Sequence, residues 1–328
     1  MSTSSTNPVV ADVAVIGGSF AGMSAALQLA RACRTVVIID LGRPRNAAAD
    51  RAHGCLGWDG CAPGVLLQTA RRQLAAYHGV RWIADEAVSV AGSAKTQFEV
   101  AIASGAAVLA KRLILAHGVI DHLPELPGLQ QRWGSTVLHC PYCHGYEVRN
   151  QRLGLLLATG QDAVGHARFL SEWGQITVFH RGDHGDGALD LLERELAHSG
   201  LALERSPLLA VSDDASADLA DGRRVVLGAL FVHPEARLAS PIACHLGCKL
   251  EAAGCISTDS AKQTTVEGVF ACGDAARFAG NIALAIGEGP LRASLHTARC
   301  WVCLIKRVQA FAAPSRRRRL VRMPASIR

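Results

Sequence analysis

The sequence predicts an α/β protein in which one strand–turn–helix–strand unit is built twice, the second copy inserted into the first. Three observations carry that prediction. Residues 11–40 run ADVAVI, GGSFAG, MSAALQLARAC and then TVVIID: a short β-branched segment, a glycine turn, a helical segment and a second apolar strand that closes on an acid. Residues 152–183 repeat the order, with RLGLLLATG as strand and turn, QDAVGHARFLSEWG as a helix stopped by Gly174, and QITVFHRGD as the next strand. Two crossings join the units: LILAHGVIDHLPELPGL (113–129) is a buried strand breaking into a connector at Pro124, Pro127 and Gly128, and GALFVHP (228–234) reads as the return. This alternation belongs to two Rossmann-like, three-layer nucleotide-binding domains. The expected boundaries are 8–121 and 229–300 for the outer domain, 122–228 for the inserted one, and 301–328 for a basic tail.

Composition narrows the function classes. With 328 residues, 49% hydrophobic and 19% charged, the chain has the apolar material for about two packed domains of roughly 100–200 residues each. No apolar run approaches the ~18 residues of a spanning helix, and MSTSSTNP lacks a secretory signal's charged and apolar regions, so the expectation is a cytoplasmic protein without a membrane span. Eleven cysteines, an odd number, do not make a secreted disulfide framework. In a reducing compartment a close pair is catalytic or metal-binding. Much of the formal charge of +6 sits in RRRR at 316–319, in the tail, so the remainder of the chain does not call for a nucleic-acid partner.

Each position of the first glycine turn has a physical task. Gly17 permits the tight turn, Gly22 lets the helix approach the strand, and the helix N-terminus offers N–H groups to a pyrophosphate. Ser19 replaces the middle glycine and brings a small hydroxyl that can donate to the phosphate. Asp40 stands where a carboxylate accepts hydrogen bonds from an adenosine ribose. The second turn, A-T-G-Q-D-A, keeps only Gly160 of the first two glycines, has Ala158 in place of the other, and puts Asp162 beside the expected phosphate position. Downstream, TTVEGVFACGDAARFAGNIALAIGEG reads as strand, turn and helix, with Gly273–Asp274 at the strand end suited to a hydroxyl and a phosphate, or to a plain helix cap.

HCPYCHGYE (139–147) places two cysteines two residues apart with a histidine directly after. The spacing alone allows half of a zinc site or a redox dithiol. Zinc requires two further ligands, and the available pairs, Cys244/Cys248 and Cys300/Cys303, fall in the other domain of this reading. Cys33, Cys55, Cys61, Cys255 and Cys272 read as small core or surface residues. His144 supplies an acid–base group beside the pair.

Taken together, VIGGSFAG with Asp40, LILAHG, LPELPG, CPYCHGYE, ATGQDA and EGVFACGDA resemble, in order and spacing, the low-molecular-weight thioredoxin reductases over nearly all of residues 9–297. The resemblance implies a homodimeric FAD enzyme with an inserted NAD(P)H-type domain that carries the redox pair, acting on a small dithiol or disulfide or on a thioredoxin-like protein. It implies Gly17, Ser19, Phe20, Ala21, Gly22 and Asp40 on the adenine side of FAD and Gly273–Asp274 on its ribityl and pyrophosphate side. Asn281, Ile282, Asn46 and His53 would lie toward the flavin, and Gly160 and Arg181 in the NAD(P)H-type site. Cys143 is then the flavin-facing thiol, Cys140 the exchanging thiol and His144 their proton carrier, with no metal. CPYCHGYE also resembles the gliotoxin- and holomycin-type dithiol oxidases of the same family, in which a substrate dithiol reduces the disulfide, the disulfide the flavin, and the flavin oxygen, without nicotinamide. Ala158 and HRGDHG (180–185), which keeps Arg181 but lacks a second arginine for an adenosine 2′-phosphate, fit that branch; Arg205 is the alternative source of a second cation. A flavin-binding sensor or scaffold without turnover stays in view because the C-terminal stretch departs from the family's end.

Overall fold

A computed structural model describes residues 7–157, 162–212, 215–277 and 279–289. Ala158 and Gly160, together with Cys300, Cys303 and the tail, lie outside the described residues. The first unit opens with β1 (Val9–Ile16), α1 (Phe20–Arg31), β2 (Val36–Ile39), α2 (Pro63–Ala75) and β3 (Val80–Ile83), followed by β4 (Ala87–Ser93), β5 (Gln97–Ile102) and β6 (Ala107–Leu115). A crossing strand β7 (Val119–His122) leads through α3 (Leu129–Arg132), β8 (Val137–Leu138) and α4 (Pro141–His144) into β9 (Arg152–Leu156), α5 (Ala163–Leu170), β10 (Gln175–Phe179), α6 (Asp186–Ala197) and β11 (Ala202–Leu203). Three short strands, β12 (Leu208–Val211), β13 (Ala217–Leu219) and β14 (Arg224–Val225), precede β15 (Ala229–Val232) and the returning strand β16 (Glu235–Leu238). The first unit resumes with α7 (Ile242–His245), β17 (Val269–Ala271), a 3-10 turn at Gly273–Ala276 and α8 (Ile282–Glu288).

The first sheet runs β3-β2-β1-β6-β5-β4, and β17 joins it by pairing in parallel with the C-terminal half of β6, Val269 opposite Leu113. The sheet is therefore completed by chain from both sides of the insertion. The second sheet runs β11-β10-β9-β15-β8, all parallel. Side chains on each central strand alternate between two cores, as the two-residue period of a strand requires. Leu113 and Leu115 of β6 pack with Phe98 and Ile256 on one face, while Ile114 and Ala116 pack with Met23, Leu29 and Phe270 on the other. In the second sheet Leu156, Phe179 and Leu230 share one face and Leu155, Val178 and Phe231 the other. Both units are three-layer α/β, the fold class read from the sequence.

One expectation shifts. Residues 229–232, read as the return to the outer domain, instead form β15, which pairs with β9 and β8 inside the second sheet. The return comes one strand later, where β16 pairs antiparallel with β7, Leu238 opposite Val119. Both ALFV and a crossing strand read as short apolar runs, so periodicity could not separate them. Outgoing and incoming crossings thus form one two-stranded ribbon between the sheets.

The glycine turn after β1 is fixed by close approach. Gly17 has φ +100°, and a Cβ there would lie 2.3 Å from the carbonyl oxygen of Ala116; a Cβ on Gly22 would lie 1.9 Å from that of Gly17. By contrast Gly64, in the first turn of α2, faces open space. Gly22→Ala should lower stability by about 1–3 kcal/mol through overpacking, whereas Gly64→Ala should be neutral or add up to about 1 kcal/mol. Urea unfolding of the two variants checks this; equal effects would mean that the close packing of α1 on β1 does not govern the first unit.

Candidate active site

The two cysteines sit on a four-residue helix, α4, with Cys140 as its N-cap residue and Pro141 as its first residue, where the missing N–H costs nothing. Their sulphurs are 2.9 Å apart, both half-buried, with the Cys143 thiol donating to Cys140. That contact, helped by backbone N–H groups of Tyr142 and Cys143, pulls the Cys140 thiol down to about 6 even though burial opposes ionisation. The same contact, reinforced by burial, pushes Cys143 up. The contact therefore favours ionisation at Cys140 over Cys143.

Burial also sets the neighbouring imidazoles. His144 is held below its ordinary value by burial, with Glu147 opposing and His53 adding to the effect, so it is neutral at pH 7 and able to accept a proton. His139 is pushed down to about 4 by burial and by the charge of Arg45. Its ring lies edge-on to His233, 5.2 Å between centroids, and His233 in turn lies 5.4 Å from His166 of α5.

The first unit meets the redox segment through its loop after β2. Arg45 donates Nε and Nη2 to Asp121 of β7 at 2.7 and 2.6 Å and Nη1 to Asp274 at 2.8 Å. His53 Nε2 lies 3.6 Å from Glu147 Oε1, and its Nδ1 lies 3.5 Å from Asp59. Asn46 is half-buried in the same loop. Of the expected residues, Asp274 and Cys143 come within electrostatic reach of each other. Arg45 and Asp121 were not anticipated: a single charge at a loop end has no periodicity to mark it, and only the Pro-bounded GRPRN could have drawn the eye.

The nucleotide cradle of the first unit takes shape around α1. Ser19 is its N-cap residue, but its side chain makes no capping hydrogen bond. Asp40 Oδ1 accepts from Gly18 N at 2.9 Å, and Asp40 Oδ2 meets Arg71, which stacks 4.5 Å over Trp82. Gly273, at φ +66°, would place a Cβ 2.8 Å from that of Ala21, so the 3-10 turn abuts the start of α1. Gly273 N donates to buried Glu288, which Lys262 and Arg277 also clasp; burial alone would raise this carboxyl, but the two cations hold it low. Asn281 caps α8, accepting from Leu284 N at 2.8 Å, and Ile282 begins that helix. An uncapped helix N-terminus behind a glycine turn, with a carboxylate at the end of the next strand, fits the pyrophosphate and ribose of a dinucleotide.

The second unit differs at that same point. Asp162 caps α5, its Oδ1 accepting from Gly165 N at 2.8 Å, so the chain's own carboxylate covers the helix N-terminus. Arg181 pairs with Asp183 at 2.9 Å, and Arg205 is engaged by Asp190 and Glu193 of α6 at 2.8 and 2.7 Å. His180, Asp183 and His184 form the one group of metal-ligating types close enough to share an ion among the described residues, yet Gly182 N–H, the Arg205 carbonyl and Asp183 already occupy the imidazole nitrogens, apart from His184 Nε2.

Comparison with known proteins places this geometry. The profile of the family described as pyridine nucleotide-disulphide oxidoreductase matches residues 11–289, and the chain belongs to that family. It is 33% identical over 294 residues to thioredoxin reductase sirT of Leptosphaeria maculans, covering 83% of this chain and 88% of that one. With thioredoxin reductase tcpT of Claviceps purpurea the identity is 31% over 309 residues, covering 88% and 92%. Among solved structures, an oxidoreductase from Agrobacterium tumefaciens superposes with a TM-score of 0.80 at 41% identity, covering 93% of this chain and all of that one. The structure of HlmI gives 0.80 at 34% identity, covering 93% and 96%. The protein is an FAD-dependent, thioredoxin reductase-like disulfide oxidoreductase. Among the described residues no helix is long and apolar enough to cross a membrane.

The sulphur contact makes a direct prediction. In the reduced protein, alkylation of Cys140 by iodoacetamide should rise with pH through a midpoint near the value of about 6 set by Cys143, well below the ~8.5 of a free thiol. Peptide mass spectrometry of samples quenched across pH 4–10 (roughly the span of thiol titration) reads it; a midpoint near that of a free thiol would show that the pair does not share a proton.

Proposed function

We propose that this chain is an oxygen-dependent oxidase of small-molecule dithiols, working as a cytoplasmic homodimer. The observation that carries the proposal is the contrast between the two Rossmann helices: α1 leaves its N-terminus open, while Asp162 closes that of α5. Asp183 on Arg181 supports the same reading, because the cation that an adenosine 2′-phosphate would need is already neutralised. A carboxylate at a phosphate position repels the ligand as well as replacing it.

We assign Gly17, Ser19, Phe20, Ala21, Gly22 and Asp40 to the adenine-side half of FAD, Gly273 and Asp274 to its ribityl and pyrophosphate half, and Asn46, His53, Asn281 and Ile282 to the flavin side. Arg181 stays the remnant of a nicotinamide nucleotide site, as does Gly160, which lies outside the described residues. The outer domain is proposed as residues 8–121 and 233–300, with 301–328 as a separate tail, the boundary lying beyond β15. Bound FAD supplies a two-electron acceptor that hands both electrons to oxygen, giving peroxide.

The chain's own residues carry the thiol chemistry. A substrate thiolate attacks Cys140 Sγ of the oxidised pair, breaking the Cys140–Cys143 bond and freeing Cys143 as a thiolate. The second substrate thiol gives its proton to neutral His144 and attacks the substrate sulphur of the mixed disulfide. The oxidised substrate leaves, Cys140 departs as a thiolate, and His144 passes the proton it took to Cys143, whose thiol then donates to Cys140. Cys143, placed within reach of Asp274, then faces the flavin side with the electron pair.

Anaerobic stopped-flow reduction of the flavin by NADPH, NADH and a small dithiol in parallel tests the proposal. The dithiol should bleach the flavin fastest, NADPH binding should be weaker by some hundredfold or more than a micromolar site, and readmitted oxygen should yield peroxide. Fast reduction at micromolar NADPH with reoxidation only by a disulfide or a thioredoxin would restore a reductase. A yellow protein that no donor bleaches would favour the scaffold.

A further inference from the structure

Arg45 joins three parts of the chain that are far apart in sequence: its own loop after β2, the crossing strand β7 through Asp121, and the strand-end turn through Asp274. The pair with Asp121 is bidentate, and the Asp121 side chain is only 7% exposed, so the fork is held rigidly and away from water. β7 is the outgoing crossing to the unit that carries Cys140 and Cys143, and Asp274 sits within electrostatic reach of Cys143. Nothing in the assigned chemistry uses Arg45.

We propose that Arg45 is a positioning residue for the redox pair: it fixes the crossing strand against the first unit through Asp121 and balances the carboxylate of Asp274. This rests on the reading of Cys140 and Cys143 as the redox pair. Arg45 is paired with Asp274 of the first unit and Asp121 of the crossing strand; His139 and His144 flank the cysteines in sequence, with Glu147 and His53 acting on His144. Burial lowers both histidines, His139 to about 4, and so disfavours a cation on either. The charge of Arg45 favours the thiolate on both sulphurs. Removing it takes away an attraction and exposes a repulsion. Both effects raise the energy of a thiolate, so they act in the same direction.

The test compares wild type, Arg45→Met and Arg45→Lys by the pH dependence of Cys140 alkylation, read on the isolated peptide so that turnover is not needed. Loss of the cation should raise the midpoint by about one unit, slowing alkylation near pH 6 about fivefold, with Arg45→Lys recovering at least half of the shift because it keeps the charge without the fork. An unchanged or lowered midpoint in Arg45→Met, or an Arg45→Lys profile no nearer to wild type than Arg45→Met, overturns the proposal. Should Arg45→Met fail to fold, an Arg45→Lys midpoint equal to or below that of wild type overturns it, and one raised by a fraction of a unit supports it. Dithiol bleaching of the wild-type flavin in the same samples separates the two readings. Bleaching with no midpoint shift removes Arg45 alone, whereas no bleaching removes the redox pair.

Discussion

The structure turns on one contact, the 2.9 Å approach of the Cys140 and Cys143 sulphurs at the seam between the two sheets. A proton shared across that distance makes one thiol more acidic and the other less so. Two residues between the cysteines, folded as a single helical turn with proline at its start, are enough to set the spacing. Everything else serves to place that turn. β8 and β15 bring it to the edge of the second sheet, the β7–β16 ribbon carries that sheet to and from the first unit, and the loop after β2 reaches across to it through His53 and Glu147.

The two α/β units share an architecture but treat charge in opposite ways. In the first, the start of α1 is left open to an anion, and the nearby carboxylate of Asp40 is held off to the side by Gly18 and Arg71. In the second, carboxylates of the chain sit on the helix start and on Arg181. A duplicated fold can therefore keep its cores, which depend on alternating apolar strands, while its ligand chemistry changes with a few charged residues at the strand ends.

How much of this was legible in the sequence follows from the range of each interaction. The strand–turn–helix–strand start of each unit was readable because apolar periodicity is local, and the glycine turn was readable from its spacing, although the carbonyl that crowds Gly17 belongs to Ala116, far away in the chain. Asp162 was visible as a charge near a phosphate position, although its role as the cap of α5 needed coordinates. Membership of β15 in the second sheet depends on pairing with β9, a partner more than seventy residues earlier in the chain, and no local pattern encodes that. Arg45 is the extreme case. Its partners Asp121 and Asp274 lie 76 and 229 residues away, so only the folded chain shows that the three charges form one group.

The central claim is that Cys140, Cys143 and the flavin form a single path for electrons, entered from a dithiol. An anaerobic titration of the oxidised protein with a small dithiol, followed by flavin absorbance, tests it most directly. Wild type should take up about two dithiol equivalents per flavin, one for the disulfide and one for the cofactor, before bleaching is complete. Cys143→Ser should bind FAD and stay yellow. If Cys143→Ser bleaches at the wild-type rate and with the wild-type stoichiometry, electrons reach the flavin without the pair and the account is wrong.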